Sequence, residues 1–248
     1  MQHIAIEQYG HILTLTINRP DKKNALTRDM YLSLANAINY AGHDEDARVI
    51  IIKGTDGVFT AGNDMHDFIS ATQQTDADVN ETEQFMRALM ECELPIIAQV
   101  EGLAIGIGAT LLLHCDFVYC SRNTILKTPF INLGLVPEYA SSYIMPRLMG
   151  HVKASEWLLL GESVTAESAK DMGMVNEVLE TEALQAKVMQ TAQKLADLPQ
   201  AALRQSKRLM KANTIAVKDH MYAELKIFIA AMQSEEAKQA FDAFVQRS

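Results

Sequence analysis

Apolar and polar positions alternate over residues 3–8 and again over 12–17, with Tyr9, Gly10 and His11 between the two runs. Two period-2 runs joined by a short glycine-containing turn predict a β-hairpin. Asn18, Arg19, Pro20 and Asp21 then break the second strand. After Thr27, a residue suited to an N-cap, the period becomes helical: Met30, Leu34, Ala37, Ile38 and Ala41 share one face, and Gly42 is expected to end the helix. Val49, Ile50, Ile51 and Ile52 form an uninterrupted apolar run, the mark of a strand covered on both faces. Helical spacing returns over 82–92, Pro95 punctuates its end, and 96–100 reads as a second buried strand. A glycine-rich turn, a helix around 109–114 and a strand over 117–120 follow. From Glu182 onward the pattern is nearly all helical, with Pro199 placed as a first-turn residue of a helix reaching Lys211.

Strands separated by helices predict an α/β fold with crossover connections. The change of pattern divides the chain near residue 195, into an α/β core over 1–195 and a helical region over 196–248. No internal repeat or low-complexity tract is evident.

Composition narrows this picture. The 248 residues are 48% hydrophobic and 21% charged, an ordinary globular balance with enough chain for a substantial core. Order is expected throughout except in the polar stretch 71–82. The net charge of −9, with no Lys/Arg-dense stripe, removes the footprint of a nucleic-acid binder. An acidic chain can still hold an anionic group through a few local cations and helix N-termini. Cys92, Cys115 and Cys120 are too few and too odd for a disulfide framework, which points to a reducing compartment such as the cytoplasm. The seven His residues are scattered, so no metal site is expected. The start, MQHIAIEQYGHI, lacks the basic and apolar regions of a signal peptide, and no apolar run approaches the ~20 residues of a membrane span.

Three stretches carry candidate chemistry. The first is 57–65 (GVFTAGNDM), which follows a buried strand; its small residues allow close backbone approach, and free N–H groups there can face an anion, although a plain connector has the same pattern. The second is 101–110 (EGLAIGIGAT). Its glycines do not fit G-x-G-x-x-G, since Leu111 stands at the third glycine position, and no phosphate-loop lysine follows. Tight packing of helix on strand and a ligand-facing turn are both compatible with it. The third is 128–143 (TPFINLGLVPEYASSY), in which Glu138 follows Pro137 in apolar surroundings. Glu138 fits a carboxylate complementing a helix start, or a buried base whose pKa burial would raise. His114, among Leu111, Leu112 and Leu113, reads as a core or interface histidine, and Ser141 and Ser142 lack a nucleophile elbow.

Together, in this order and spacing, these segments resemble the enoyl-CoA hydratase/isomerase (crotonase) family. The strongest parts are 59–64 (FTAGND), 95–102 (PIIAQVEG) and 173–178 (GMVNEV), and the likeness spans essentially the whole chain. The resemblance implies a ββα spiral core with a helical C-terminal region that builds homotrimers or hexamers. It implies an oxyanion hole made by the backbone N–H groups of Asn63 and Ile107, holding the enolate of an acyl-CoA thioester. Ala61, Gly62, Asp64, Met65, Gly106, Gly108 and Phe130 become substrate contacts. The CoA phosphates would meet cations near Arg19, Lys22 and Lys23, which equally fit a solvated loop. No metal or redox cofactor is implied; coenzyme A arrives with the substrate.

The acid–base positions decide between reactions. A typical hydratase of the family carries two glutamates; the matching positions here hold Thr110 and Phe130. By contrast, 128–130, Leu133-Gly134 and 137–143 resemble peroxisomal-type Δ3,Δ2-enoyl-CoA isomerases, whose catalytic base maps onto Glu138. The resemblance therefore implies 3-enoyl-CoA to 2-enoyl-CoA isomerisation. A hydratase with atypical residues and a non-catalytic acyl-CoA-binding protein are the alternatives, the latter because related non-catalytic proteins share the third segment.

Overall fold

The computed structural model describes residues 3–65, 67 and 81–245, with only the backbone described for Phe244 and Val245. Of the stretch where disorder was expected, 71–80 lies outside the described residues, and Glu81 and Thr82 open a helix.

A six-stranded sheet forms the backbone of the fold. The hairpin is β1 (Ile4–Tyr9) and β2 (Ile12–Ile17), paired antiparallel. β3 (Val49–Lys53) and β4 (Ile96–Val100) extend the sheet in parallel. The short strands β5 (Leu103–Ile105), β7 (Ile125–Lys127) and β8 (Ser163–Thr165) make a second, three-stranded sheet. β6 (Phe117–Ser121) and β9 (Glu177–Leu179) complete the first in the order β1-β2-β3-β4-β6-β9. β4 and β6 each pass after a few residues into a strand of the small sheet, so the chain winds in ββα turns, the spiral that the resemblance implies.

The continuous apolar run of β3 has the predicted cause. Ile50 and Ile52 face the main core, whereas Val49 and Ile51 pack with Leu184, Val188 and Ala192. Those three lie on a helix, Thr181–Asp197, that covers the opposite face of the sheet and runs across residue 195. On the core side α1 (Arg28–His43) packs against α2 (Glu81–Glu91). The Thr27 side chain accepts the Met30 N–H, as a capping residue should. Gly42 does not end α1: it keeps a helical conformation, and Asp44 closes the helix by donating its N–H to Tyr40 and Ala41. The helix expected around 109–114 begins earlier, as α3 (Ile107–Thr110), and tightens into a 3₁₀ turn over Leu111–His114. Pro199 stands at the N-cap of Gln200–Met210 rather than inside its first turn.

The helical C-terminal region folds back on the core. Lys207, 4% exposed, reaches Asp116 at 2.6 Å and the Leu94 carbonyl at 2.6 Å. Phe228 and Phe241 are buried against Phe130 and Leu135 of the same chain, so these two are not part of an exposed apolar face. Tyr222, Ile227 and Ile229 remain exposed, and the Phe244 side chain lies outside what is described. Among the described residues no helix is long and apolar enough to cross a membrane.

Candidate active site

The first two candidate stretches lie side by side. Thr60 and Ala104 form a parallel bridge, with the Ile105 N–H donating to the Thr60 carbonyl at 3.1 Å. Counting three residues on from each bridge partner reaches Asn63 and Ile107. Each follows a glycine with positive φ, Gly62 at +91° and Gly106 at +57°. The two glycines turn the chain so that the next N–H leaves the ladder. Asn63 bridges Leu26 in parallel, but the bonds of that bridge use the Gly62 carbonyl and the Asp64 N–H, which directs the Asn63 N–H to the other side. Ile107 is the first residue of α3, where an N–H has no partner within the helix. Among the described residues neither N–H has an acceptor. Two preorganised donors at paired turns are what an oxyanion needs.

Several predicted contacts have specific structural roles. A Cβ on Gly62 would meet the Ile105 carbonyl oxygen at 2.7 Å, and one on Gly108 would meet Thr60 Cγ2 at 2.5 Å; both glycines let the two segments touch. Gly106 faces open space. Ala61 donates its N–H to the Lys23 carbonyl at 3.0 Å, which ties the loop of Lys22 and Lys23 to the site while both lysines stay exposed. Asp64 does not offer its carboxylate to a ligand: it is 8% exposed and pairs with Arg19 at 2.7 Å. That pair also removes Arg19 from the free cations. Met65 and Phe130 join the cluster around Phe228.

Glu138 arrives from the third stretch. It is 6% exposed, and Thr110 of α3 donates to its Oε1 at 2.5 Å. Thr110 closes the short helix that Ile107 opens, so this bond ties the carboxyl to the element that carries that N–H donor. On its other side is Tyr31 of α1, whose hydroxyl feels the Glu138 charge and donates to the Asn63 side-chain oxygen. Burial pushes the Glu138 pKa up to about 8; the Thr110 bond opposes this, and nearby Glu224 adds to it. After Glu138 the backbone enters the left-handed region twice, at Tyr139 (φ 60°) and Ala140 (φ 58°), an uncommon conformation for residues with a Cβ. The Tyr139 hydroxyl donates to the Met86 carbonyl at 2.7 Å. His114 stacks on Tyr139 and bonds its carbonyl at 2.9 Å; burial lowers the imidazole pKa to about 3, which makes it a neutral packing residue. Desolvation pushes the thiols of the half-buried Cys115 and the buried Cys120 up to about 12, too high for nucleophiles near neutral pH. Among the described residues no group of three His, Cys, Asp or Glu could hold a metal ion.

The enoyl-CoA hydratase/isomerase family profile matches residues 7–248. The chain belongs to this family. Among its relatives is enoyl-CoA delta isomerase 2 of Rattus norvegicus, 34% identical over 98% of this chain and 63% of the rat protein. The chain thus spans less than two thirds of that relative's length. A second relative is 2,3-dehydroadipyl-CoA hydratase of Escherichia coli, 30% identical over 100% of this chain and 97% of that one. The structure of Pseudomonas aeruginosa OdaA superposes with a TM-score of 0.94 and is 43% identical, covering 98% of this chain and 99% of that chain. Isomerase and hydratase names both occur among these relatives, so family membership leaves the reaction to the site.

Tyr31, Asn24 and Glu224 escaped the sequence reading. Asn24, fully buried with φ 57°, accepts from the Arg19 N–H and donates to the Thr55 and Val58 carbonyls, pinning the loop before the Gly62 turn. Tyr31 shared the apolar helix face and gave no separate signal. Glu224 did give one: it occupies a buried face of its helix between Met221 and Phe228, where a carboxylate is out of place.

The Asn63 contact sharpens one expectation. Asn63→Ala keeps the backbone donor but leaves the buried Tyr31 hydroxyl without its acceptor. Turnover should stay within about tenfold of the wild type, while stability falls by about 1–3 kcal/mol. Denaturant unfolding and steady-state rates on the same preparation check both halves. An activity loss as deep as that of a Glu138 variant would give the Asn63 side chain a chemical role.

Proposed function

We propose that this protein is an enoyl-CoA isomerase that shifts the double bond of a 3-enoyl-CoA to the 2,3 position. The observation that carries the reading is the buried Glu138 carboxyl, bonded to Thr110 of the short helix that opens with the Ile107 N–H, with Thr110 and Phe130 themselves where a hydratase of the family has glutamates. The Thr110 hydroxyl is engaged by Glu138, and the Phe130 ring meets Phe228 edge-on at 6.3 Å. Neither can activate water.

In this reading Glu138, as its carboxylate, removes a proton from C2. The electron pair moves through C2 toward the thioester oxygen, and the negative charge rests on the N–H groups of Asn63 and Ile107, each worth ~3–4 kcal/mol to the developing anion. The dienolate spreads charge to C4, and protonated Glu138 returns the same proton there. One base serves both steps, and a pKa raised by burial suits it, since it must take a proton and give it back. The reaction moves only a proton and a double bond, and coenzyme A is the only cofactor moiety it calls for. Its phosphates would meet the exposed Lys22 and Lys23, which leave the loop tied to Ala61. Three-fold self-association through the exposed Tyr222, Ile227 and Ile229 belongs to the same reading.

Purified protein supplied separately with 3-enoyl-CoA and 2-enoyl-CoA, with products separated by chromatography, tests the assignment. The expected result is conversion of the 3-enoyl ester, with 3-hydroxyacyl-CoA formed at least ~100-fold more slowly, the scale of a missing general base. Rapid hydration of 2-enoyl-CoA, undiminished in Glu138→Gln, would overturn both the reaction and the base.

A further inference from the structure

The helix Thr214–Met232 sends a second carboxylate toward the site. Glu224 is 6% exposed. Its Oε2 accepts the Ala140 N–H at 2.6 Å, and its Oε1 accepts the Ser142 N–H at 3.0 Å and the Ser142 hydroxyl at 2.5 Å. These donors flank the start of the helix Ser141–Met149, where N–H groups lack intrahelical partners and the helix dipole favours an anion. The segment they close is the left-handed pair Tyr139–Ala140, directly after Glu138. The Glu138 carbonyl in turn accepts the Ser141 N–H at 3.1 Å, so the base and the clamped turn form one unit.

We propose that Glu224 is a positioning residue for Glu138: by gripping Ala140 and Ser142 it holds the left-handed turn that sets the Glu138 carboxyl against Thr110. The proposal rests on the reading of Glu138 as the base. Two consecutive non-glycine residues at positive φ persist only when their surroundings over-determine them. Glu224 supplies three of the bonds that do so, from a segment 84 residues away. Its charge also bears on the base, because a neighbouring carboxylate raises the Glu138 pKa.

The other titratable and charged groups around Glu224 come from each packed element. His220, on the same helix, stands 3.7 Å from Glu224 and 2.9 Å from the Ser142 hydroxyl. On the helix Ser141–Met149, Tyr143 packs on His220 and carries Arg147 over its ring. Toward α2, Lys218 pairs with Glu91 and Tyr222 with Glu83. On the following helix, Lys238 pairs with Glu235. All of these side chains remain in the variants below.

Glu224→Gln removes the charge and turns one acceptor into a donor facing an N–H. Its kcat for 3-enoyl-CoA should fall about tenfold with KM within about twofold, the split expected when ground-state binding is untouched. Removing the neighbouring charge lowers the Glu138 pKa, so the acid limb of kcat/KM should move to lower pH. Glu224→Asp keeps the charge but shortens the reach, so its kcat should fall without that displacement. A merely structural residue would change thermal stability and leave kcat per folded molecule and the acid limb where they are. If Glu224→Gln does not fold, Ser142→Ala takes its place: losing the hydroxyl donor makes Glu224 easier to protonate and should move the acid limb in the same direction by less. Glu138→Gln runs alongside. An active Glu138→Gln removes the base reading and this proposal with it. An inactive Glu138→Gln together with a folded Glu224→Gln, or failing that Ser142→Ala, of wild-type kcat or unmoved acid limb overturns the proposal alone.

Discussion

Glu138→Gln is expected to bind CoA esters as the wild type does and to turn over 3-enoyl-CoA about 10²–10⁴-fold more slowly. Gln keeps the size of the side chain and can still accept from Thr110, which lies 2.5 Å from Glu138 Oε1. It cannot take the C2 proton. The folded protein should not suffer, because the wild-type carboxyl, with a pKa raised to about 8, is itself largely neutral near pH 7. A neutral amide therefore replaces a mostly neutral acid. Burial raises the folded pKa of Glu138 above its unfolded value, so the native state binds the extra proton between about 4.5 and about 8, and the site opposes folding increasingly as pH rises through that window. Glu138→Gln should accordingly flatten part of any loss of melting temperature between pH 5 and pH 8. Ligand titration and single-turnover kinetics separate binding from chemistry. Turnover near that of the wild type would take the base assignment away from Glu138.

Gly62→Ala is expected to cost about 10²–10³-fold in kcat/KM, the scale of losing one oxyanion donor. The new Cβ would stand 2.7 Å from the Ile105 carbonyl oxygen and 3.4 Å from the Ile105 carbonyl carbon, at a φ of +91° that an L side chain rarely adopts. Neither obstacle is a flexible side chain that could swing away; both lie in the backbone that leads to Gly106 and Ile107. Relief requires the two turns to separate, and separating them moves the Asn63 and Ile107 N–H groups out of register. Gly42→Ala is the matched control. Gly42 lies within α1 with nothing near its Cβ direction, so alanine there should be neutral or stabilise by about 0.5–1 kcal/mol. Equal activity of the two glycine variants would show that the close approach at Gly62 does not set the donor geometry.

The larger elements were legible because their patterns are local. The hairpin and the doubly covered strand β3 declared themselves through period and uninterrupted apolarity, and Thr27 marked the start of α1. The three strands of the small sheet have three residues each, too few for any period to show. Gly42 misled because a glycine late in a helix signals an end only when the chain turns left-handed there, and this one does not. At the site, the positions of Asn63, Ile107 and Glu138 came from resemblance. The physical reasons for them, the bridge at Thr60 and Ala104 and the bond from Thr110, depend on pairings between distant segments. Arg19 and Asp64 each looked available to a ligand, and only their meeting across 45 residues shows that each satisfies the other. The burial of Phe228 and Phe241 has no local signal either, because the residues they cover, Phe130 and Leu135, lie about a hundred positions earlier in the chain.

That return of the tail has a consequence for synthesis. A nascent chain that has just emerged through Glu138 still lacks Glu224, Phe228 and Phe241. The Ala140–Ser142 turn lacks its Glu224 acceptor, and Phe130 has no cover, until the helices that carry Glu224, Phe228 and Phe241 leave the ribosome. A chain that had emerged only through Glu138 would hold the candidate residues in sequence but not in place, because the helix carrying Glu224 and Phe228 must follow before the turn after Glu138 and the Phe130 ring find their partners.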